Sequence, residues 1–144
     1  MLHAVAFGHL ARLPPPCFVD PRVASILPVG VSASHGLSTH VLDTATGLPA
    51  AGMQVRCERR DGSGWIDAGG GTTDADGRVK SVLRGAMAVG VHRLHFATGA
   101  WHAERGTKGF FPSVSIEFEV TDASRHHHVP LLLSPFSYST YRGS

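Results

Sequence analysis

The sequence predicts an all-β sandwich with about eight strands and one short helix, on three observations. Short runs of alternating or β-branched residues follow one another from residue 37 to the end of the chain. Gly, Asp and Pro separate these runs at a spacing typical of sandwiches. Only residues 100–105 have a helical pattern, and at 144 residues the chain suits one domain better than two.

The first predicted strands follow a region of small residues. Residues 37–44 are expected to form the first strand, and residues 46–49 the turn after it. Residues 53–58 alternate between apolar and polar side chains, which is the period of a strand with one wet face. They are therefore predicted to be the second strand.

Glycine and aspartate dominate the next segment. Residues 61–64 are predicted to turn the chain into a third short strand at residues 65–67. The three glycines at residues 69–71 are expected to be a flexible stop. Residues 73–78 read Thr-Asp-Ala-Asp-Gly-Arg, a turn that would place Arg78 at the rim of a strand.

The remaining strands lie in the second half of the chain. Residues 90–98 and 114–121 alternate regularly, and the second of these segments is the clearest half-buried strand. Residues 126–133 and 137–141 are predicted to form the last pair. Residues 134–136 would be the tight corner between them.

Composition excludes several classes of protein. The net charge of +2 comes from interspersed charges without a basic run, so no nucleic-acid partner is expected. No apolar stretch approaches the roughly 20 residues that cross a bilayer, so we expect a soluble protein without a membrane partner. Cys17 and Cys57 form neither a metal spacing nor a disulfide framework, which favours a reducing compartment.

Residues 1–36 have no sustained period and contain three consecutive prolines. We expect a mostly disordered N-terminal extension or a degenerate targeting segment, followed by one domain at residues 37–144. Leu2 and the pair His9 and Leu10 weakly resemble an N-terminal peroxisomal signal that lacks its basic residue. A secretory peptide is disfavoured because no positive charge precedes a clean apolar core. Cytoplasmic and peroxisomal locations both stay open.

Two isolated residues could carry chemistry. His40 would share one face of the first strand with Ser38, although a lone histidine on a strand is more often a surface side chain. Arg78 offers a rigid guanidinium that binds carbonyl or anionic groups at two points, although most turn arginines are simply solvated. Neither residue by itself decides a function.

The end of the chain holds a denser set. His126 and His128 would project to one face and His127 to the other. These two histidines could supply only two metal ligands, whereas zinc sites use three or four, so no metal is predicted. Tyr141, Arg142 and Ser144 combine a phenol, a guanidinium and a hydroxyl, which could bind a small polar ring. The alternative is an ordinary frayed chain end without a function.

Three of these segments resemble one family. STHVLDTATGLPA, the turn TDADGR and the ending VPLLLSPFSYSTYRGS are similar to motifs of the 5-hydroxyisourate hydrolases, the transthyretin-related enzymes of urate breakdown. The resemblance covers about residues 36–144. It implies a transthyretin-like (prealbumin) sandwich of two four-stranded sheets with one short helix. It also implies a homotetramer with active sites in a channel between dimers.

The resemblance also implies an activity and its residues. The small-molecule substrate would be 5-hydroxyisourate, hydrolysed without a cofactor. His40, Arg78 and His128 match the family's catalytic positions, and His126 would be their neighbour. The residues that would bind substrate are His40, Arg78, Tyr141 and Ser144, with Thr140 or Arg142 as helpers.

The alternative function is that of a carrier. Transthyretin itself has a similar strand before an ending of different chemistry, and its channel holds thyroid hormone. This chain ends in Tyr-Arg-Gly-Ser, which should narrow such a channel and make it polar. A carrier of apolar aromatics also has no need to bury two histidines and an arginine. A third candidate, an adhesion-type sandwich, would have structural disulfides.

Overall fold

The computed structural model describes residues 36–144, which form two β-sheets and one short helix. The N-terminal extension or targeting segment predicted for residues 1–36 lies outside this range apart from Gly36, and stays a prediction. The strands and the helix are β1 (Leu37–Asp43), β2 (Leu48–Pro49), β3 (Gln54–Asp61), β4 (Gly64–Thr72), β5 (Arg78–Val79), β6 (Gly90–Phe96), α1 (Thr98–Glu104), β7 (Val114–Val120), β8 (His127–His128), β9 (Leu131–Leu133) and β10 (Tyr138–Thr140).

One sheet is an antiparallel set in the order β4-β3-β6-β7. The other has the order β10-β9-β1-β2, with β5 and β8 also paired to β1. β1 is parallel to β8 and β9 and antiparallel to β2 and β5. The all-β prediction with one short helix is confirmed.

The second sheet has six strands where four were expected. Three of the six, β2, β5 and β8, contain only two residues each. β8 and β9 belong to one extended run that Pro130 interrupts, because proline has no N–H to donate to the ladder. The extra strands are therefore short pieces of the expected architecture.

The core lies between the sheets and draws on both. Leu37 and Val41 point inward from β1, and Leu94 and Phe96 point inward from β6, all at most 1% exposed. Burial of each such side chain stabilises the fold by about 1.5–3 kcal/mol. The alternation on β1 leaves Ser38 and His40 on the opposite face, half-buried.

The prediction that residues 69–71 stop a strand is wrong, because β4 continues through all three glycines to Thr72. Gly69 and Gly70 have φ of 147° and 156°, and each lies against backbone. A Cβ would lie 2.1 Å from the Val82 carbonyl oxygen at Gly69, and 2.4 Å from the Val55 carbonyl oxygen at Gly70. Glycine is therefore needed for close approach in a strand rather than for a stop.

The predicted helix is present and begins earlier, at Thr98. The indole N–H of Trp101 donates to the Ala51 carbonyl at 2.9 Å, which ties the helix to the loop before β3. No helix within residues 36–144 is both long enough and apolar enough to cross a membrane.

Candidate active site

The site is built on β1, the central strand of the six-stranded sheet. Thr39 is buried, and its hydroxyl donates to the Val129 carbonyl at 2.6 Å. This bond fixes β1 against the segment that follows β8. Because side chains alternate along a strand, Ser38 and His40 then face away from the core together.

β8 brings the C-terminal histidines to the same face. Its parallel pairing with β1 sets Ser38 opposite His128. His127 points inward and is 9% exposed, whereas His128 is half-buried and His126 is exposed. The alternation predicted for the three histidines is therefore present.

Two imidazoles meet directly on this face. His40 Nδ1 lies 3.1 Å from His128 Nε2, at hydrogen-bond distance. The rings stack with centroids 5.3 Å apart and an angle of 15° between their planes. The second ring nitrogen of His128, Nδ1, lies 2.8 Å from the Ser38 hydroxyl. Both nitrogens of His128 are thus engaged within the protein.

Ser38 also contacts a third histidine. Its hydroxyl lies 2.7 Å from His126 Nε2. The four side chains form one chain of contacts in the order His126, Ser38, His128 and His40. Alternation along the first strand predicts that Ser38 shares the face of His40, but it predicts no role for Ser38, because the bridging position depends on strands almost 90 residues apart in sequence.

The predicted turn at residues 73–78 places Arg78 beside these histidines. The Asp74 carboxylate accepts hydrogen bonds from the backbone N–H groups of Asp76 and Arg78, both at 2.9 Å. Gly77 has a φ of 71°, and a Cβ there would lie 2.5 Å from the Val41 carbonyl oxygen. β5 follows the turn and pairs Arg78 with His40 across the sheet.

Burial and nearby charge favour the neutral form of the two central imidazoles. Burial lowers the pKa of His40, and the Arg78 guanidinium lowers it further. Burial is also the main reason why the pKa of His128 is lowered, followed by the charges of His40, Arg78 and His126. A neutral imidazole has a free lone pair, so this pair suits the acceptance of a proton.

The C-terminal residues close one side of the site. The Gly143 N–H donates to the His128 carbonyl at 2.8 Å, and the Gly143 backbone packs against the His128 ring. The result is an open cleft of about 420 Å³. It is lined by Ser38, His40, Arg78, His126, His128, Tyr141, Gly143 and Ser144. The five residues predicted for the site therefore line one cleft.

The two proposed helpers lie elsewhere. The Thr140 hydroxyl donates to the Pro130 carbonyl at 2.8 Å. Arg142 lines a separate cavity of about 250 Å³ that also borders Tyr141 and β7. Neither side chain lines the cleft that holds His40 and Arg78. Among the described residues, no group of three or more His, Cys, Asp or Glu side chains is arranged to hold a metal ion.

The fold and the cleft together define a class, the small β-sandwich proteins with a polar cleft that carries paired imidazoles and a guanidinium. Residues 37–143 match the family model described as HIUase/Transthyretin family, and the chain belongs to that family.

Three known proteins illustrate the similarity. The 5-hydroxyisourate hydrolase of Caulobacter vibrioides is 48% identical over 113 residues, which cover 76% of this chain and 98% of the relative. The structure of Klebsiella pneumoniae 5-hydroxyisourate hydrolase matches with a TM-score of 0.66 and 37% identity, covering 75% of this chain and 98% of that one. Sea bream transthyretin in complex with thyroxine matches with a TM-score of 0.69 and 30% identity, covering 74% of this chain and 93% of that one. The predicted family and the transthyretin-like fold are confirmed.

Proposed function

We propose that the protein hydrolyses 5-hydroxyisourate to 2-oxo-4-hydroxy-4-carboxy-5-ureidoimidazoline, a step of urate breakdown. The observation that carries the proposal is the 3.1 Å contact between His40 and His128, with Arg78 paired across the sheet from His40. The relatives that bear the name 5-hydroxyisourate hydrolase support it, since their similarity spans nearly the whole domain.

His40 is the better candidate for the general base. Both ring nitrogens of His128 lie at hydrogen-bond distance from protein atoms, one at His40 and one at Ser38. His40 uses Nδ1 for His128, which leaves Nε2 for the reacting water. In the proposed step Nε2 takes a proton from water while the water oxygen bonds to the ring carbonyl carbon. The C–N bond then breaks, and the leaving nitrogen takes that proton back.

Arg78 has the complementary role. As the carbonyl carbon becomes tetrahedral, negative charge develops on its oxygen, and a fixed guanidinium stabilises that charge. The same group binds the ring carbonyls of the substrate at two points. Tyr141 and Ser144 line the cleft and would position the ring. Each of these roles uses only side chains of the protein, without a cofactor.

We further propose a homotetramer in which the cleft opens into a channel between dimers and is completed by neighbouring subunits. Large apolar side chains support assembly, since Phe110 is 71% exposed and Phe136 is 76% exposed. β7 and β10 are also edge strands of their sheets, with unpaired backbone groups. Sedimentation should show a tetramer, and dilution should lower the specific activity. A fully active monomer would contradict the shared site.

Decay of ultraviolet absorbance of freshly prepared 5-hydroxyisourate tests the activity. We expect His40→Ala, Arg78→Ala and His128→Ala each to lower kcat/KM by roughly a hundredfold or more. Glu104→Ala serves as the control, because Glu104 is exposed on α1, away from the cleft. Wild-type turnover in all three site variants would refute the assignment.

The carrier is the second candidate, because the thyroxine complex of sea bream transthyretin has a similar fold. A thyroxine-displacement assay separates the two functions. We expect substrate decay and no displacement, since an apolar aromatic ligand would have to desolvate the histidines and Arg78 without compensation. Location in the cytoplasm or in peroxisomes stays part of the proposal, and microscopy of the full chain with and without residues 1–36 tests it.

A further inference from the structure

We propose that Ser38 and His126 are positioning residues that decide which nitrogen of His40 carries a proton, and thereby whether His40 can act as a base. This inference rests on the proposed hydrolysis. Its structural basis is the chain of contacts through His126, Ser38, His128 and His40, with successive separations of 2.7, 2.8 and 3.1 Å.

The Ser38 hydroxyl gives the chain a direction. A hydroxyl has one proton, so when it donates to one of its two imidazole partners it can only accept from the other. His126 Nε2 and His128 Nδ1 both lie within 2.8 Å of this oxygen. The positions of the protons on His126 and His128 are therefore coupled through Ser38. The contact at His128 Nε2 extends this coupling to His40.

Only one direction leaves His40 able to accept a proton. When Ser38 donates to His126, His128 donates from Nδ1 to Ser38 and accepts at Nε2 from His40. His40 then carries its proton on Nδ1, and Nε2 has a free lone pair in neutral imidazole. In the opposite direction His128 donates to His40 Nδ1, so the proton of neutral His40 is on Nε2 and the base is lost.

His126 selects the direction. A protonated imidazole donates from both nitrogens, so protonated His126 can only donate to Ser38, and this favours donation by Ser38 toward His128. His126 is exposed, whereas His40 and His128 are half-buried. Among the residues that the structure describes, Arg78 from β5 and Tyr141 and Ser144 from the C-terminal segment line the same cleft. Protonation of His126 would thus switch off the base without a second proton on His40.

His126→Gln tests whether His126 selects the direction, because the proposal and its alternative predict opposite shifts of the acidic limb of the kcat/KM profile. Glutamine supplies an acceptor oxygen near the position of Nε2 and does not titrate, so the active direction persists in acid. We expect the acidic limb of the kcat/KM profile to move to lower pH by about half a unit or more. A purely electrostatic role predicts the reverse, because the charge of His126 lowers the pKa of His128 and its removal would raise it. An unchanged or raised limb would overturn the proposal.

Ser38→Ala and Ser38→Thr form a matched pair. Alanine interrupts the chain, and we expect kcat to fall roughly tenfold with little change in KM, because the hydrogen bond at one ring nitrogen sets which nitrogen carries the proton. Threonine keeps the hydroxyl and should retain kcat within about threefold of wild type. Equal activity of the alanine variant and wild type, or equal loss in both variants, would contradict the positioning role.

Nitrogen-15 NMR of the imidazoles gives a readout that does not depend on turnover. In wild type with neutral His126, His40 and His128 should both carry their protons on Nδ1, and Ser38→Ala should mix the tautomers of His128. A wild-type His40 protonated on Nε2 would overturn the inference even in an active enzyme. Absence of substrate decay in wild type would instead overturn the hydrolase function, whatever the tautomers.

Discussion

Gly143→Ala should damage the site without damaging the fold. A Cβ at Gly143 would lie 2.5 Å from Cδ2 of the His128 ring and 3.1 Å from its Cβ and Cγ. Carbon atoms in contact are about 3.5–4.0 Å apart, so the ring or the C-terminal segment must move by about 1 Å. The 3.1 Å contact between His128 and His40 would then stretch to about 4 Å, beyond hydrogen-bond range. A displacement of this size typically costs about a hundredfold in rate, and we expect that loss in kcat/KM.

The measurement is the initial rate of substrate decay, paired with urea unfolding. Gly143 does not have a positive φ, so alanine fits its backbone. The overlap with the ring should cost about 1–3 kcal/mol of stability, which leaves the protein folded in the assay. Gly85→Ala is the matched control, because a Cβ there meets nothing within 4 Å and its φ is also ordinary. A Gly143→Ala enzyme with the rate of the Gly85→Ala enzyme would refute the dependence on the His40 and His128 contact.

Three further variants test the supports of the fold and the site. Asp74→Ala removes the carboxylate that accepts two backbone N–H groups of the turn, so kcat/KM should fall about tenfold and stability by about 1 kcal/mol in parallel rate and unfolding assays. The Cys57 thiol is fully buried and its pKa is raised to about 12, so in a Cys17→Ser protein it should react with a thiol reagent at neutral pH only after unfolding. Glu58→Gln should lower the free energy of unfolding by about 1–3 kcal/mol at pH 7, because the hydrogen bond from Arg93 stabilises the charged carboxylate of Glu58 and lowers its pKa. The difference in unfolding free energy between the variant and wild type should shrink as pH falls through that lowered pKa. A difference that stays constant across pH in urea titrations would contradict this explanation.

Local pattern was sufficient to predict most of the strands and the orientation of their side chains. Within each predicted strand, alternation alone indicated that His126 and His128 project to the same side and that Ser38 and His40 project to the same side. The roles of His40, Arg78 and His128 came from resemblance, and they stay a prediction. Their approach in one cleft could not follow from any local pattern, since His40 and His128 are 88 residues apart and meet only through the pairing of β1 with β8.

The glycines at residues 69–71 show where local reasoning fails. A run of glycine usually ends a strand, because it lacks side chains to pack and has high backbone freedom. Here the backbone around Val82 and Arg84 comes so close to β4 that any side chain at Gly69 would overlap it. The requirement arises from a neighbour in space, so only the assembled sheet explains it.

The whole site depends on β1 because the register of its pairing with β5 and β8 decides which side chains lie opposite one another. Antiparallel pairing with β5 sets Arg78 opposite His40, and parallel pairing with β8 sets His128 opposite Ser38. Since side chains alternate with a period of two, a slip of one residue on either side would turn one partner toward the core. The buried face of β1, with Leu37, Thr39 and Val41 at most 1% exposed, opposes any such slip. The same apolar alternation that stabilises the sandwich therefore holds the imidazoles and the guanidinium on one cleft.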